Sequence, residues 1–155
     1  MQDRMKKHQL NDGQITDLLK KASVGTIATI DENGYPYAVP VHFIYNDDMI
    51  YFHGLPKGKK INNIMANNKI CFQIYDMKGL ILDDAPCDVN TEYESVVIMG
   101  MAAIVKDQKL KATVLSEIVG KYTSHLKETK LPDNMIKSTA VVEITIKECT
   151  GKYYK

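Results

Sequence analysis

The sequence predicts a mainly β protein, an antiparallel barrel of six strands with helices at its periphery. Two observations lead there. Short segments rich in β-branched residues alternate between apolar and polar positions, and tight-turn signals such as Asn33-Gly34 and Asn46-Asp-Asp48 separate them. The chain has 155 residues, 45% hydrophobic and 25% charged, enough for one substantial core. Residues 1–155 are therefore expected to form a single domain.

Each element follows from local pattern. Asn11-Asp-Gly-Gln14 has the form of a capping box, and Ile15, Leu18 and Leu19 recur at helical spacing after it, so a short first helix is expected. Val24 to Ile30 is β-branched and leads into Asp31-Glu-Asn-Gly34, where Asn-Gly predicts a hairpin. From there Tyr35, Tyr37, Val39, Val41 and Phe43 form a large apolar face, while Pro36, Ala38, Pro40 and His42 share the opposite, smaller one. The smaller face has room for a ligand. Two prolines also remove ladder donors, which predicts an irregular or edge strand.

Asn46-Asp-Asp48 turns the chain into a strand over Met49 to His53, and the next helix reaches about Asn67. Lys69 to Tyr75 alternates again, whereas Leu80 to Asn90 is irregular and reads as a loop. Ser95 to Val105 is apolar on both faces and contains Gly100, as expected of a central strand closely approached by another backbone. Leu110, Val114, Ile118 and Tyr122 mark an amphipathic helix. The last strand alternates Ala140, Val142, Ile144 and Ile146 against Thr139, Glu143, Thr145 and Lys147.

Charge and composition narrow the function classes. Twenty basic against nineteen acidic residues give a net charge of +1, too balanced for a broad nucleic-acid footprint. No apolar run reaches the roughly 18 residues of a membrane span, and MQDRMKKHQL lacks the apolar core of a secretory signal. A cytoplasmic protein is expected. Cys71, Cys87 and Cys149 are odd in number and widely spaced, which suits reduced structural thiols better than a disulfide framework or a zinc site.

One stretch does not fit its local structure. In YFHGLPKGKKINNI, residues 51–64, Lys57, Lys59 and Lys60 stand where a helix begins, although the helix dipole favours acids there. An external anion would resolve the conflict, since free N–H groups and ammonium groups would bind it together. Gly54-Leu-Pro-Lys-Gly58-Lys-Lys60 is not a Walker loop: three residues, not four, separate its glycines, and Lys60 replaces the hydroxyl residue. A simpler phosphate grip and a set of solvated lysines both remain open. His53, taken alone, reads as a strand-end histidine bonded to backbone. No Ser-His-Asp or Cys-His signature supports covalent hydrolysis.

Four motifs in order resemble a known family. Gly34-Tyr-Pro-Tyr-Ala-Val-Pro40, Tyr51-Phe-His53 with Gly58-Lys-Lys60, Tyr93-Glu-Ser-Val-Val-Ile-Met-Gly100 and Thr150-Gly-Lys152 resemble the pyridoxamine 5'-phosphate oxidase-like flavoproteins, and among them the nitroimidazole-resistance, or Nim-type, branch. The resemblance runs from about Arg4 to Lys152. It implies a split β-barrel, a homodimer, and one FMN at each of two sites across the dimer interface. It further implies that the anion is the FMN phosphate, with Lys59 and Lys60 matching the family's basic residues and Lys60 the better match.

By the same resemblance, Val39, Pro40, Val41 and His42 match the strand along which the isoalloxazine lies, although His42 could equally fill the small barrel face. Phe52 and His53 match the strand end beside the ribityl phosphate, Ser95 and Val96 match residues that hold the cofactor, and His53 becomes a candidate substrate-side group. Cys87 lies close to a cysteine common in the Nim-type pattern, with a buried inert thiol preferred over a redox nucleophile. Tyr51 and Tyr93 are expected to pack, and Asp83 and Asp84 to be solvated loop acids. The chain departs from authentic pyridoxamine phosphate oxidases in having no tryptophan and ending Thr150-Gly-Lys-Tyr-Tyr-Lys155, without their arginine- and tryptophan-bearing substrate motif. The expected function is FMN-dependent reduction of a small aromatic or heteroaromatic acceptor, with nitroimidazoles as the branch-level choice. A flavin-binding or redox-sensing protein without turnover is the alternative.

Overall fold

The computed structural model describes residues 6–155, so the start of the resemblance at Arg4 lies outside the described residues. Helix α1 (Asp12–Lys21) begins as its sequence predicts: the Asn11 side chain accepts the Gln14 N–H at 2.9 Å, and the Gln14 side chain accepts the Asn11 N–H at 2.9 Å. Both orphan amides are thereby satisfied. Strands β1 (Gly25–Ile30), β2 (Pro36–Val41), β3 (Phe43–Asn46) and β4 (Met49–Gly54) precede helix α2 (Lys59–Ala66). Strands β5 (Lys69–Ile81) and β6 (Asn90–Ile104), helix α3 (Gln108–Tyr122), a 3-10 turn (Ser124–Leu126), helix α4 (Asp133–Ser138) and strand β7 (Ala140–Tyr154) complete the chain.

The seven strands form one sheet in the order β2-β1-β5-β6-β7-β4-β3, and every pairing is antiparallel. Seven replace the expected six because the strand that starts after Gly34 changes partner at His42. Before it, β2 pairs with β1; after it, β3 pairs with β4. A single residue thus joins the two ends of the sheet, which must curl until its edges meet at His42, giving a split barrel. Pro36 and Pro40 lie on β2, one of those edges, where a missing N–H costs no ladder bond.

Turn chemistry differs from the sequence signal. Both central residues of a type I′ turn need positive φ, and the described residues that meet this condition in succession are Asp47 at 49° and Asp48 at 61°, between β3 and β4. At the Asn-Gly pair Gly34 alone is positive, at 81°, and the Asp31 carboxylate organises a longer loop by accepting the N–H groups of Asn33 and Tyr35, each at 2.9 Å. The expected loop over Leu80–Asn90 shrinks to residues 82–89, because β5 and β6 keep pairing after a register shift between Met77 and Gly79. β7 runs on to Tyr154 along β6. At Gly100 a Cβ would stand 2.7 Å from the Thr145 carbonyl oxygen, which is the close backbone approach the glycine predicts.

Two apolar clusters hold this frame. Phe43, Phe52, Phe72, Ile27, Ile98 and Ile144 fill the barrel interior with 0% exposure. Outside the barrel, Ile44, Tyr51 and Val141 pack against Val114, Leu115 and Ile118 of α3. Strand alternation therefore sends Phe52 inward and its neighbours Tyr51 and His53 outward. Among the described residues no helix is long and apolar enough to cross a membrane.

Candidate functional site

Helix α2 starts without a cap. Gly58, at φ 132°, provides no side chain, no acid stands in the first turn, and Lys59 and Lys60 are the first two helical residues. The two lysines then diverge. Lys59 Nζ lies 2.8 Å from Asp31 and 5.2 Å from the centre of the Tyr37 ring, and the Asp31 carboxylate raises its pKa. Lys60 Nζ lies 4.9 Å from the centre of the Phe52 ring, and burial lowers its pKa. No carboxylate among the described residues pairs with it. One lysine is already paired with a carboxylate, and its neighbour is a half-buried cation with no acidic partner among the described residues.

The Lys60 ammonium and the His42 ring both act electrostatically on His53. His53 ends the outward row of β4 opposite Val141, and burial, then His42, then Lys60 hold its imidazole below the usual 6.5. No hydrogen bond fixes it to backbone among the described residues. His42 occupies the seam, stacked on Tyr122 with ring centres 4.6 Å apart and planes 21° from parallel.

The last turn of α3 fastens that seam. Tyr122 Oη accepts the Phe43 N–H at 2.8 Å and lies within donating distance of two carbonyls, Ser23 at 2.7 Å and Phe43 at 2.8 Å. Lys121 Nζ donates to the carbonyls of Ala22 at 2.7 Å and Phe43 at 3.0 Å and sits 4.3 Å from the Phe43 ring centre. Burial of this ammonium brings its pKa down to about 8. These bonds hold the backbone of Phe43, next to His42, against the turn before β1 at Ala22 and Ser23, and the Tyr122 ring braces the His42 ring directly.

Beside the histidines, α3 and α4 stand off the outer face of β4 and leave a cleft of about 290 Å³. His42 and His53 form one wall, and Leu115, Ile118, Val119 and Ile136 contribute apolar surface to the others. The lining contains no Asp, Glu, Lys or Arg.

The residues singled out in the sequence fall into separate places. His42, His53 and Lys60 come together, while Lys59 faces Asp31. Within Val39–His42, Val39 and Val41 turn toward the core, and Pro40 and His42 turn outward. Phe52 and Val96 are wholly enclosed in the barrel interior, so Phe52 meets the site only beneath the Lys60 ammonium. Ser95 lies on the opposite face of β6 from Val96, and its buried Oγ has no hydrogen-bond partner. It sits apart from the histidines: the adjacent row Pro40-Thr26-Gln73-Val97 crosses three strand spacings, about 14 Å of sheet.

Other expectations resolve as follows. Cys87 is exposed, not buried, because loop 82–89 projects beyond the last β5–β6 pair with every residue from Leu82 to Asp88 open to solvent. Asp83 and Asp84 are exposed in the same loop. Tyr51 is buried, and burial together with Glu143, 3.1 Å from its Oη, pushes its phenol up to about 12. Tyr93 packs its ring 5.5 Å from that of Tyr75. Sequence reasoning missed Tyr122, Lys121 and the cleft wall. The spacing Leu110, Val114, Ile118, Tyr122 marks a buried helix face, but nothing in it says what lies opposite.

Comparison with known proteins adds an independent finding. The sequence pattern of pyridoxamine 5'-phosphate oxidase matches residues 11–153. A solved structure from Bacteroides thetaiotaomicron, a candidate 5-nitroimidazole antibiotic resistance protein, is 26% identical with a TM-score of 0.79, covering 93% of this chain and 85% of that one. The flavocytochrome Anf3 from Azotobacter vinelandii is 20% identical with a TM-score of 0.87, covering 100% of this chain and 72% of its own. The FAD and heme binding protein from Mycobacterium smegmatis is 15% identical with a TM-score of 0.86, covering 96% and 74% respectively. The last two share the fold. No curated protein matches the chain.

Proposed function

Because the chain belongs to the pyridoxamine 5'-phosphate oxidase family, we propose that it is an FMN-dependent oxidoreductase that reduces a small aromatic or heteroaromatic acceptor. The carrying observation is the meeting of an unpaired, half-buried Lys60, an uncapped helix start and two histidines beside an apolar cleft. A phosphate dianion fits that arrangement: it would accept bonds from Lys60 and from the first free amides of α2, and it would satisfy the cation that burial disfavours. Neighbouring proteins named for FAD, heme and F420 make a flavin-type cofactor the natural choice within this fold.

A bound flavin supplies reversible two-electron chemistry. The chain's own residues hold and orient. Lys60 anchors the phosphate, Pro40 and His42 line the outward side of the seam, and the cleft excludes water from an acceptor. His53, neutral near pH 7, offers an imidazole nitrogen to that acceptor as a hydrogen-bonding group. The 26% identity to the candidate 5-nitroimidazole resistance protein favours nitroheterocycles among acceptors.

We further propose that the working form is a homodimer. The outer face of β1, β2, β5 and β6 leaves Ala38, Pro40, Tyr75, Met99 and Met101 exposed, an apolar sheet face of the kind that marks an interface. A second copy laid there would cover Pro40 and bring its own residues to the seam, which also accounts for Ser95 standing away from the histidines.

The test is spectroscopic. Purified protein is titrated with FMN and with riboflavin, then FMN-loaded protein is reduced and mixed without oxygen with a 5-nitroimidazole or a quinone. FMN should bind more tightly than riboflavin, and the acceptor should reoxidise the protein faster than it reoxidises free reduced FMN. Equal affinity for the two flavins removes the phosphate site. Reoxidation no faster than that of free FMN, with every acceptor, leaves a flavin-binding protein without turnover.

A further inference from the structure

We propose that the polar groove between α2 and the β1–β2 turn is a second binding site, for one small, uncharged, hydroxyl-rich molecule with the functional groups of a sugar ring. Helix periodicity builds one wall. Lys59, Asn62, Asn63 and Ala66 stand at i, i+3, i+4 and i+7, so they share one face of α2, and Asp31, Glu32 and Asn33 of the turn oppose them. About 520 Å³ lies between, room for one or two sugar rings. Lys60 lies about 100° further round the helix and outside this lining, so the groove is distinct from the phosphate grip and from the cleft beside His53.

A buried carboxamide marks the groove as a site. Asn63 is 6% exposed, and its Nδ2 donates to Thr29 Oγ1 at 2.9 Å. Thr29, itself buried, gives its one hydroxyl proton to the Tyr37 carbonyl at 3.3 Å, so toward Asn63 it acts only as an acceptor. That fixes which way the carboxamide is turned, and it leaves Asn63 Oδ1 without a hydrogen-bond partner among the described residues. An unmet acceptor in a groove wall is costly, and a ligand donor removes the cost.

Charge selects the class of donor. The Asp31 carboxylate, its side chain 6% exposed, already accepts from Lys59 and from the Asn33 and Tyr35 amides, which leaves Glu32 as the unpaired carboxylate of the lining among the described residues. An anion would meet that charge while the Lys59 ammonium is engaged elsewhere. A hydrocarbon ring would find one apolar side chain, Ala66, and leave Asn63 Oδ1 unmet. Hydroxyl groups donate and accept at once: they can donate to Glu32 and Asn63 Oδ1 and accept from the Asn33 and Asn62 carboxamides.

The experiment titrates isotope-labelled protein, apo and FMN-loaded, with D-glucose and with D-ribose. Glucuronate and protonated glucosamine are the anionic and cationic controls. The side-chain amide NMR signals of Asn33, Asn62 and Asn63 should move with a neutral sugar in both forms, and each charged sugar should bind about tenfold more weakly. Ala66→Trp, which fills the groove from an exposed helix position, should weaken the sugar about tenfold and leave FMN affinity unchanged. Asn62→Trp serves the same purpose should the first variant melt early. Glu32→Gln should narrow the preference for glucose over glucuronate. No shift with either neutral sugar, shifts confined to other surfaces, unchanged affinity in a folded groove-filling variant, charged sugars binding as tightly as glucose, or competition with FMN would each overturn the assignment. FMN binding without sugar binding removes the groove site alone, whereas sugar binding without FMN binding removes the flavin reading and leaves the groove.

Discussion

Replacing Lys60 by methionine separates the phosphate account from every other role of the residue. Methionine keeps an unbranched stem over the Phe52 ring, where Lys60 Nζ now sits 4.9 Å from the ring centre, and removes only the charge. A charge-assisted hydrogen bond is worth about 1.5–3 kcal/mol, so FMN affinity should fall by about one to two decades. Riboflavin, which lacks the phosphate, should bind as before. Because burial opposes the Lys60 charge, the apo variant should melt no lower than the parent. Lys59→Met should cost less FMN affinity, since Asp31 already holds that ammonium at 2.8 Å. The assay is quenching of flavin fluorescence on titration, repeated at two salt concentrations, and higher salt should narrow the gap between FMN and riboflavin. An equal loss for both flavins in Lys60→Met, or a larger loss in Lys59→Met, would refute the reasoning.

Four further outcomes follow from the geometry. Above about pH 6.5 His53 is neutral whether folded or unfolded; below it the unfolded chain takes up a proton that the folded chain resists, so stability should fall with pH until the lowered folded pKa is reached, and His53→Gln should flatten that slope in denaturant melts. A phosphate beside His53 should draw its pKa back up, so FMN binding should take up protons in the same window, seen as a buffer-dependent heat in calorimetry. Gly100→Ala would place a Cβ 2.7 Å from the Thr145 carbonyl and should destabilise by about 1–3 kcal/mol, read as a lower denaturant midpoint at unchanged slope; an unaltered midpoint would mean that the strands separate at little cost. Met99→Lys introduces a charge on the open sheet face and should convert the proposed dimer to monomer by light scattering with loss of bound flavin, whereas an intact dimer would place the interface elsewhere.

What the sequence determined by itself is what local physics controls. The capping box at Asn11, the alternation that sends Ile27, Phe72, Ile98 and Ile144 to one side, and the need for glycine at position 100 depend on a residue and its near neighbours. Three lysines at a helix start were legible in the same way, as a conflict with the dipole. The exchange of partners at His42 was not legible, because the apolar alternation continues unbroken from Val39 through Val41 to Phe43 while the hydrogen bonds move from β1 to β4. Nor does any local pattern say that Asp31 reaches Lys59 and leaves Lys60 unpaired, that Tyr122 braces His42, or that Cys87 ends on an exposed loop tip. Those outcomes depend on register between segments distant in the chain. A residue's periodicity specifies which face it joins, but its partner across that face is set only when the barrel closes and the helices dock, since many partners satisfy the same burial and one arrangement satisfies all the backbone bonds together.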